Sequence, residues 1–195
     1  MLYDPAEELR GILLIKYPIM PNKDYIKNLS PDYTAEEFAR RLILKHFQTM
    51  ISQIDGVIEN KNPEPLHKFR VSGRRLRAVF KTFGNIFSKK ESKQFFGVIK
   101  DLSPLTGKAR DLDVNIIFLK NYIKTIPKID RKVIQEYLDE KIEERDKLQP
   151  LLVDVMSSIR ESSFIKDFNL FFRRMKVQLT IDEMSRLRVI NKEQA

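Results

Sequence analysis

Apolar residues recur along most of this chain at intervals of three and four positions, the spacing that gathers them on one face of an α-helix. Sustained alternation of apolar and polar positions is absent, so strands are not predicted. The predicted helices span about 4–16, 34–60, 66–83, 88–103, 111–125, 129–160 and 163–179, with a short last helix from 180. The pattern predicts an all-α fold, an antiparallel bundle of long helices joined by short loops.

Prolines, glycines and capping residues set the boundaries between these helices. Pro104 and Gly107 are expected to end one helix, and Asp111 is expected to cap the next. For the predicted helix 111–125, the positions expected to face the core are Val114, Ile117 and Leu119 or Phe118. The apolar positions of the amphipathic segment 129–160 are Val133, Tyr137, Ile142, Leu148, Leu152 and Val155. The chain divides into an N-terminal short helix and connector (1–33), a helical bundle (34–179) and a C-terminal short helix or tail (180–195).

The predicted helix 66–83 has two contrasting faces. At 100° per residue, its cationic and protonatable side chains fall within an arc of about 80°, and the apolar residues lie opposite. No carboxylate interrupts this arc, which follows the helix for about 21 Å and would suit an extended polyanion. A solvated basic face is the plainer interpretation. The arc contains His67, Arg70, Arg74, Arg77 and Lys81, and Arg75 lies at its edge.

The distribution of charge favours an anion site over a solvated face. The 195 residues carry a formal net charge of +9. Residues 61–124 contain 15 Lys/Arg and 5 Asp/Glu, whereas residues 1–60 contain 7 and 9, and residues 125–195 contain 14 and 13. The whole excess therefore lies in the middle third, as expected of a surface that binds a polyanion.

Composition and the lengths of the apolar runs exclude several classes of protein. The sequence has no cysteine, which excludes disulfides and thiolate metal sites. The apolar run 12–15 is far too short to cross a bilayer, and the N-terminus lacks the pattern of a signal peptide. We therefore expect a cytoplasmic protein without a membrane partner.

A second cluster follows the first along the chain, from Lys108 to Asp113. Lys108 and Arg110 are expected to extend the basic surface, and Arg41 and Lys45 of the helix 34–60 are additional binding candidates. Asp111 and Asp113 have three interpretations: capping of a helix start, orientation of a binding arginine, or ligation of a divalent cation.

Catalysis has little support in the sequence. A nucleophilic cysteine, a Gly-rich phosphate loop and a histidine cluster are all absent, so we expect neither an enzyme nor a cofactor or bound metal. A metal-dependent phosphohydrolase using Asp111 and Asp113 is one alternative. Binding of RNA or DNA backbone without base readout is another, although the phenylalanines among the arginines lie on the apolar face, away from the cations. A scaffold that recognises an acidic protein is the last alternative.

The chain resembles the CHAD family, the conserved histidine α-helical domain, in two segments of matching residue type, spacing and order. They are His67-x-x-Arg70-x-x-x-Arg74-Arg75-Leu76-Arg77 and Gly107-x-Ala109-Arg110-Asp111-Leu112-Asp113-Val114. The resemblance covers roughly residues 34–179. It implies a helical bundle with a basic channel that binds inorganic polyphosphate without catalysis, and it implies ligand-contacting or motif roles for His67, Arg70, Arg74, Arg75, Arg77 and Arg110. Lys81 and Lys108 are our additions from helix geometry.

The sequence departs from the family pattern in one respect. Members of the family typically have two such halves related by pseudo-twofold symmetry, whereas this sequence contains one, or slightly more. We therefore expect that the chain builds half of the channel and that a homodimer completes it.

Overall fold

The computed structural model describes residues 34–87 and 89–174, with the side chains of 89–91 and 174 excepted, and this part of the chain contains helices and no strand. The all-α bundle predicted from the sequence is confirmed. Predicted helices 4–16 and 180 onward, and the end of 163–179, lie outside the described residues. The helices are α1 (Ala35–Ile51), α2 (Ile54–Glu59), α3 (Glu64–Phe83), α4 (Lys89–Thr125), α5 (Arg131–Glu161) and α6 (Phe164–Arg174), with a 3-10 turn (Lys128–Asp130) before α5.

The core forms where α1, α3, α4, α5 and α6 bring their apolar faces together. The predicted apolar face of α3 is confirmed, since Phe69, Leu76 and Phe80 are buried. Phe47 of α1 stacks on Phe168 of α6 with ring centroids 3.6 Å apart. This packing fixes the orientation of α3, so that its cationic arc faces away from the core. None of the described helices has both the length and the apolarity to cross a membrane.

The break predicted between residues 103 and 111 is wrong, because α4 is one helix of 37 residues that runs through Pro104 and Gly107. A proline inside a helix costs about 3 kcal/mol. A hydroxyl group near Pro104 donates a hydrogen bond to a backbone carbonyl of the preceding turn: Thr106 Oγ1 donates to Leu102 O at 2.7 Å. Burial of Leu102 and of residues on the following turns holds the helix together across the proline. Asp111 is therefore a mid-helix residue and not a cap.

The prediction of one continuous helix over 34–60 is wrong, because the segment forms two helices, α1 and α2, separated at Ser52 and Gln53. The Ser52 hydroxyl donates to Thr49 O at 3.0 Å, and Thr49 Oγ1 donates to Lys45 O at 2.9 Å. Serine and threonine hydroxyls that bind nearby carbonyls favour bends and turns over helix. The apolar face predicted for this segment is nevertheless retained across the turn: Ile58 is partly buried and packs against the core. The other predicted residues of this face are buried, namely Ile43, Phe47, Met50, Ile54 and Val57.

The outer part of the α4–α5 hairpin extends past the main core, which corrects the predicted inward faces of α4 and of the start of α5. Farther along α5, the predicted Leu148 and Leu152 are buried in the core. Only Leu119 among the α4 residues predicted to face inward is buried, and Leu119 packs outside the main core cluster, as Leu138 of α5 does. Of the alternatives Leu119 and Phe118, Leu119 is the buried one, and the predicted residues that are exposed instead are Val114, Ile117, Val133 and Tyr137.

A buried ion pair anchors this hairpin to the bundle. Arg145 of α5 is 5% exposed, and its Nε donates to Asp113 Oδ1 of α4 at 2.8 Å. Its Nη2 donates to Asn60 Oδ1 at 3.1 Å and its Nη1 to Gln149 Oε1 at 3.1 Å. Gln149 in turn donates to Val57 O at 3.0 Å. The network joins α4, α5 and the end of α2 at one point.

Asp113→Ala should lower the free energy of unfolding by about 3 kcal/mol, because it leaves the buried Arg145 guanidinium without its counter-charge. Asp111→Ala, two residues away and exposed, should change it by less than about 0.5 kcal/mol. Urea denaturation of both variants measures the difference. Equal losses in the two variants would contradict the assignment of Asp113 to the anchor.

Candidate functional site

A groove of about 720 Å³ lies between α3 and α4, with α1 and α5 contributing one residue each. This volume is within the range of pockets that hold ligands of drug size. Five Lys/Arg side chains line it against two carboxylates, Asp111 and Glu144. The groove contains six of the residues predicted from the sequence as binding candidates: His67, Arg70, Arg74, Arg77, Lys108 and Arg110.

The α3 wall carries its four candidates on successive turns. Arg74 is exposed, whereas His67, Arg70 and Arg77 are partly buried. Within the described residues none of the four makes an ion pair or a side-chain hydrogen bond. Nε of Arg77 is buried and has no hydrogen-bond partner among these residues. A buried donor without a partner is costly, and an anion in the groove would satisfy it.

Arg70 and Gly107 define the closest approach of the two walls. A Cβ at position 107 would lie 2.6 Å from Nη1 of Arg70, closer than van der Waals contact allows. The glycine therefore lets the Arg70 guanidinium lie against the backbone of α4. Sequence reasoning placed Gly107 at a helix end, whereas the structure uses it for close packing inside α4.

The α4 wall adds Lys108 and Arg110, and neither makes an ion pair with a described carboxylate. Ser103 and Asn115 also line the groove, although sequence reasoning missed them. Both lie near the helical face of Gly107, at four residues before and eight after it. If α4 had been predicted as one continuous helix, its periodicity would have placed Ser103 and Asn115 near the face of Gly107. The predicted break at Pro104 and Gly107 prevented this inference.

Glu144 of α5 also lines the groove, and sequence reasoning missed it. Its carboxylate accepts a hydrogen bond from Lys141 Nζ at 2.7 Å, which lowers the pKa of Glu144. Lys108 lies close enough to contribute to the same shift. Lys141 thus offsets the negative charge that Glu144 brings to the edge of the groove.

The four other candidates do not line the groove. Arg75 and Lys81 are exposed on α3, and Arg41 of α1 pairs with Glu37 at 2.8 Å. Burial, Arg75 and Lys45 together lower the pKa of His46 to about 4. Arg75 and Lys45 thus lie near His46, a residue that is not part of the groove.

The two aspartates predicted as a pair are separated by the fold. Asp111 is exposed and lines the groove, whereas Asp113 is buried against Arg145. Positions two apart on a helix lie about 200° apart around its axis, so the two carboxylates do not converge. Among residues 34–87 and 89–174, no three His, Asp or Glu side chains are grouped as a metal ion would require.

Comparison with known proteins agrees with this arrangement. The family model of the CHAD domain matches residues 41–188, about three quarters of the chain, so the protein belongs to the CHAD family. The match includes both walls of the groove. A search of curated proteins found no match.

Gly107→Ala should weaken binding of a polyanion by about tenfold, because the new Cβ displaces Arg70 and costs one charge-assisted contact of about 1.5 kcal/mol. The same change should raise stability by up to about 1 kcal/mol, since alanine favours helix. Isothermal titration calorimetry and thermal unfolding measure the two effects.

Gly97→Ala is the matched control, since a Cβ at this position of α4 meets nothing within 4 Å. It should give a similar stabilisation with unchanged affinity. Equal affinities for the two alanine variants would contradict the role assigned to the contact between Arg70 and Gly107.

Proposed function

We propose that this CHAD protein binds inorganic polyphosphate, or a polyanion of the same kind, in the groove between α3 and α4. The observation that carries the proposal is the convergence of five Lys/Arg side chains on one groove without ion pairs to described carboxylates. Among them Arg77 has a buried Nε without a hydrogen bond. Such an arrangement costs free energy through like-charge repulsion and an unsatisfied donor, and a bound polyanion offsets both.

The spread of the cations favours an extended ligand over a single phosphate. From His67 to Arg77 the α3 wall rises about 15 Å. Lys108 and Arg110 face the same space from α4. Arginine can bind phosphate oxygens through two parallel hydrogen bonds, so a chain of phosphates can contact successive turns of both helices.

We propose binding without catalysis. Asp113 is engaged by Arg145, which leaves Asp111 and Glu144 as the described carboxylates of the groove. A two-metal mechanism would need several convergent carboxylates. Phosphate release from polyphosphate in the presence of Mg²⁺ or Mn²⁺, abolished by Asp111→Asn, would establish the phosphohydrolase instead.

Nucleic acid is the other ligand with a regularly charged backbone. It would use the same cations through its phosphates, with strong dependence on salt. Competition between polyphosphate and an oligonucleotide at matched phosphate concentration and salt separates the two. The proposal requires that polyphosphate displace the oligonucleotide and that the reverse displacement need a large excess.

Arg74→Ala combined with Arg77→Ala should weaken polyphosphate binding by at least about a hundredfold, since each arginine supplies a charge-assisted contact of about 1.5–3 kcal/mol. Arg75→Ala combined with Lys81→Ala removes the same two charges from α3 outside the groove. This second pair should cost only a few-fold, through the loss of long-range attraction. Calorimetry on both pairs tests the site, and similar losses would refute it.

His67→Ala should weaken polyphosphate binding by up to about tenfold, because the imidazole lines the groove and supplies one hydrogen bond to a phosphate oxygen, of about 0.5–1.5 kcal/mol. Calorimetry at constant pH and salt measures the loss.

His46→Ala is the matched control, since His46 is the other histidine of the sequence and does not line the groove. This variant should keep the wild-type affinity within about twofold. Equal affinities for the two histidine variants would remove His67 from the binding site.

A further inference from the structure

The two walls of the groove run antiparallel, in a register that two contacts define. A Cβ at Gly107 of α4 would lie 2.6 Å from Nη1 of Arg70 on α3. Farther along α3, the ring of Phe80 meets that of Phe96 of α4 edge to face, with centroids 5.6 Å apart. Phe80 is ten residues after Arg70 and Phe96 is eleven before Gly107, so each level of one wall can be matched to a level of the other.

The groove is closed at one end. Arg77 is the last residue of α3 that lines it, and Lys81, one turn farther on the same side of α3, does not. On α4 the lining residue nearest this end is Ile99. Three residues beyond Arg77 and three before Ile99, Phe80 and Phe96 bring the two helices into contact. We call the part of the groove beside Arg77 and Ile99 the closed end.

The opposite end of the groove is open, because α4 extends beyond the start of α3. The register places Glu64, the first residue of α3, opposite Asp113 of α4. Asn115 lines the groove past this level. Glu144 lines it at about the same level, since the next residue of α5 pairs with Asp113. The walls of this open end therefore come from α4 and α5, without a facing turn of α3.

The two ends differ in charge. Both carboxylates that line the groove, Asp111 and Glu144, lie on the open side of Gly107, whereas Arg74 and Arg77 lie on the closed side. Along the helix axes, Arg77 is about 16 Å from the level of Asp111. This separation exceeds the Debye length of about 8 Å at physiological salt. No carboxylate lining the groove thus offsets the positive charge at the closed end.

The floor of the closed end is apolar. The sulfur of Met50 lies 3.4 Å from the position of a Cβ at Gly73, one turn past Arg70. Met50 and Ile99 both line the groove and are 1% and 2% exposed. Charges interact more strongly beside an apolar, water-poor surface than in water. Since Nε of Arg77 is also buried without a partner among the described residues, the closed end favours a compact group of high negative charge.

A linear polyphosphate carries such a group at each of its two ends. An internal phosphoryl group has two bridging oxygens and one ionisable oxygen, whereas a terminal group has two ionisable oxygens. The second ionisation of such a group occurs near about pH 6, so a terminal group carries nearly twice the charge of an internal one at pH 8. An internal stretch would also have to enter and leave the closed end through the same opening.

We propose that the groove binds linear polyphosphate by its chain end, with the terminal phosphoryl group at the closed end. Arg74 and Arg77 hold this group, and Nε of Arg77 is one of the donors. The following phosphates contact Lys108 and Arg110, and the rest of the chain leaves through the open end. The class of ligand rests on the proposed function, and the new element is recognition of the chain terminus.

Calorimetry with the full chain at about pH 8 and physiological salt tests this inference. The ligands are linear polyphosphates of increasing length, each long enough to span several grooves. A second set has its terminal phosphoryl groups blocked as phosphoramidates of a small alkylamine, which removes one charge from each end and leaves the internal groups unchanged. Two protein chains should bind each unblocked polyphosphate whatever its length, and blocking should weaken binding at least about tenfold.

Arg77→Gln and Arg110→Gln are matched variants, since each removes one cation of the groove, at the closed end and toward the open end respectively. Arg77→Gln should bind blocked and unblocked polyphosphate within about twofold of each other. Arg110→Gln should bind both forms more weakly and keep the preference for unblocked ends. The ratio is measured within each variant, so a general loss of affinity does not imitate the effect, and circular dichroism confirms that both variants are folded.

Three results would overturn the inference in different ways. A number of bound protein chains that grows with polyphosphate length, or equal affinity for blocked and unblocked ends, would exclude chain-end binding and leave the proposed function standing. A preference for unblocked ends that Arg77→Gln retains would remove the terminal group from the closed end. Failure of the wild type to bind either form would refute the proposed function itself.

Discussion

The close approach of the Arg70 guanidinium to the backbone of α4 marks the place where the two walls of the groove meet. It requires a residue without Cβ at position 107, since a Cβ there would lie 2.6 Å from Nη1 of Arg70. It also requires that α4 continue past Pro104, because a chain reversal at this point would remove Lys108 and Arg110 from the second wall. The packing of α3 against α4 thus brings together cations that lie more than 30 residues apart in the sequence.

Bringing these cations together costs free energy through like-charge repulsion, and stabilising contacts elsewhere in the fold offset this cost. The aromatic core, in which Phe47 stacks on Phe168, holds α3 with its charged side outward. The buried pair of Asp113 and Arg145 anchors the hairpin. It also keeps one carboxylate away from the groove, which leaves the cations there in excess. A bound polyanion would remove the repulsion that remains among the groove cations. Binding would therefore also stabilise the fold, which links the free energy of unfolding to the affinity of the site.

The sequence predicts the helical class, the apolar faces of α1 and α3 and the side of α3 that carries charge, because these depend on local periodicity. Periodicity does not reveal where a neighbouring helix lies, so it could not show that Arg75 and Lys81 fall outside the groove. The rule that proline ends a helix failed at Pro104, where tertiary burial outweighs it. Arg145 has partners 32 and 85 residues away and leaves no local pattern. Phe118 continues the apolar spacing of α4, yet no described residue covers it and it is 63% exposed.

A structure of the protein bound to a polyphosphate of defined length would test the central claim most directly. We expect phosphate oxygens within hydrogen-bonding distance of Arg70, Arg74 and Arg77, with Nε of Arg77 among the donors, and further contacts to Lys108 and Arg110 across the groove. Density for the chain along the side of α3 that carries Arg75, with the groove unchanged, would contradict the claim.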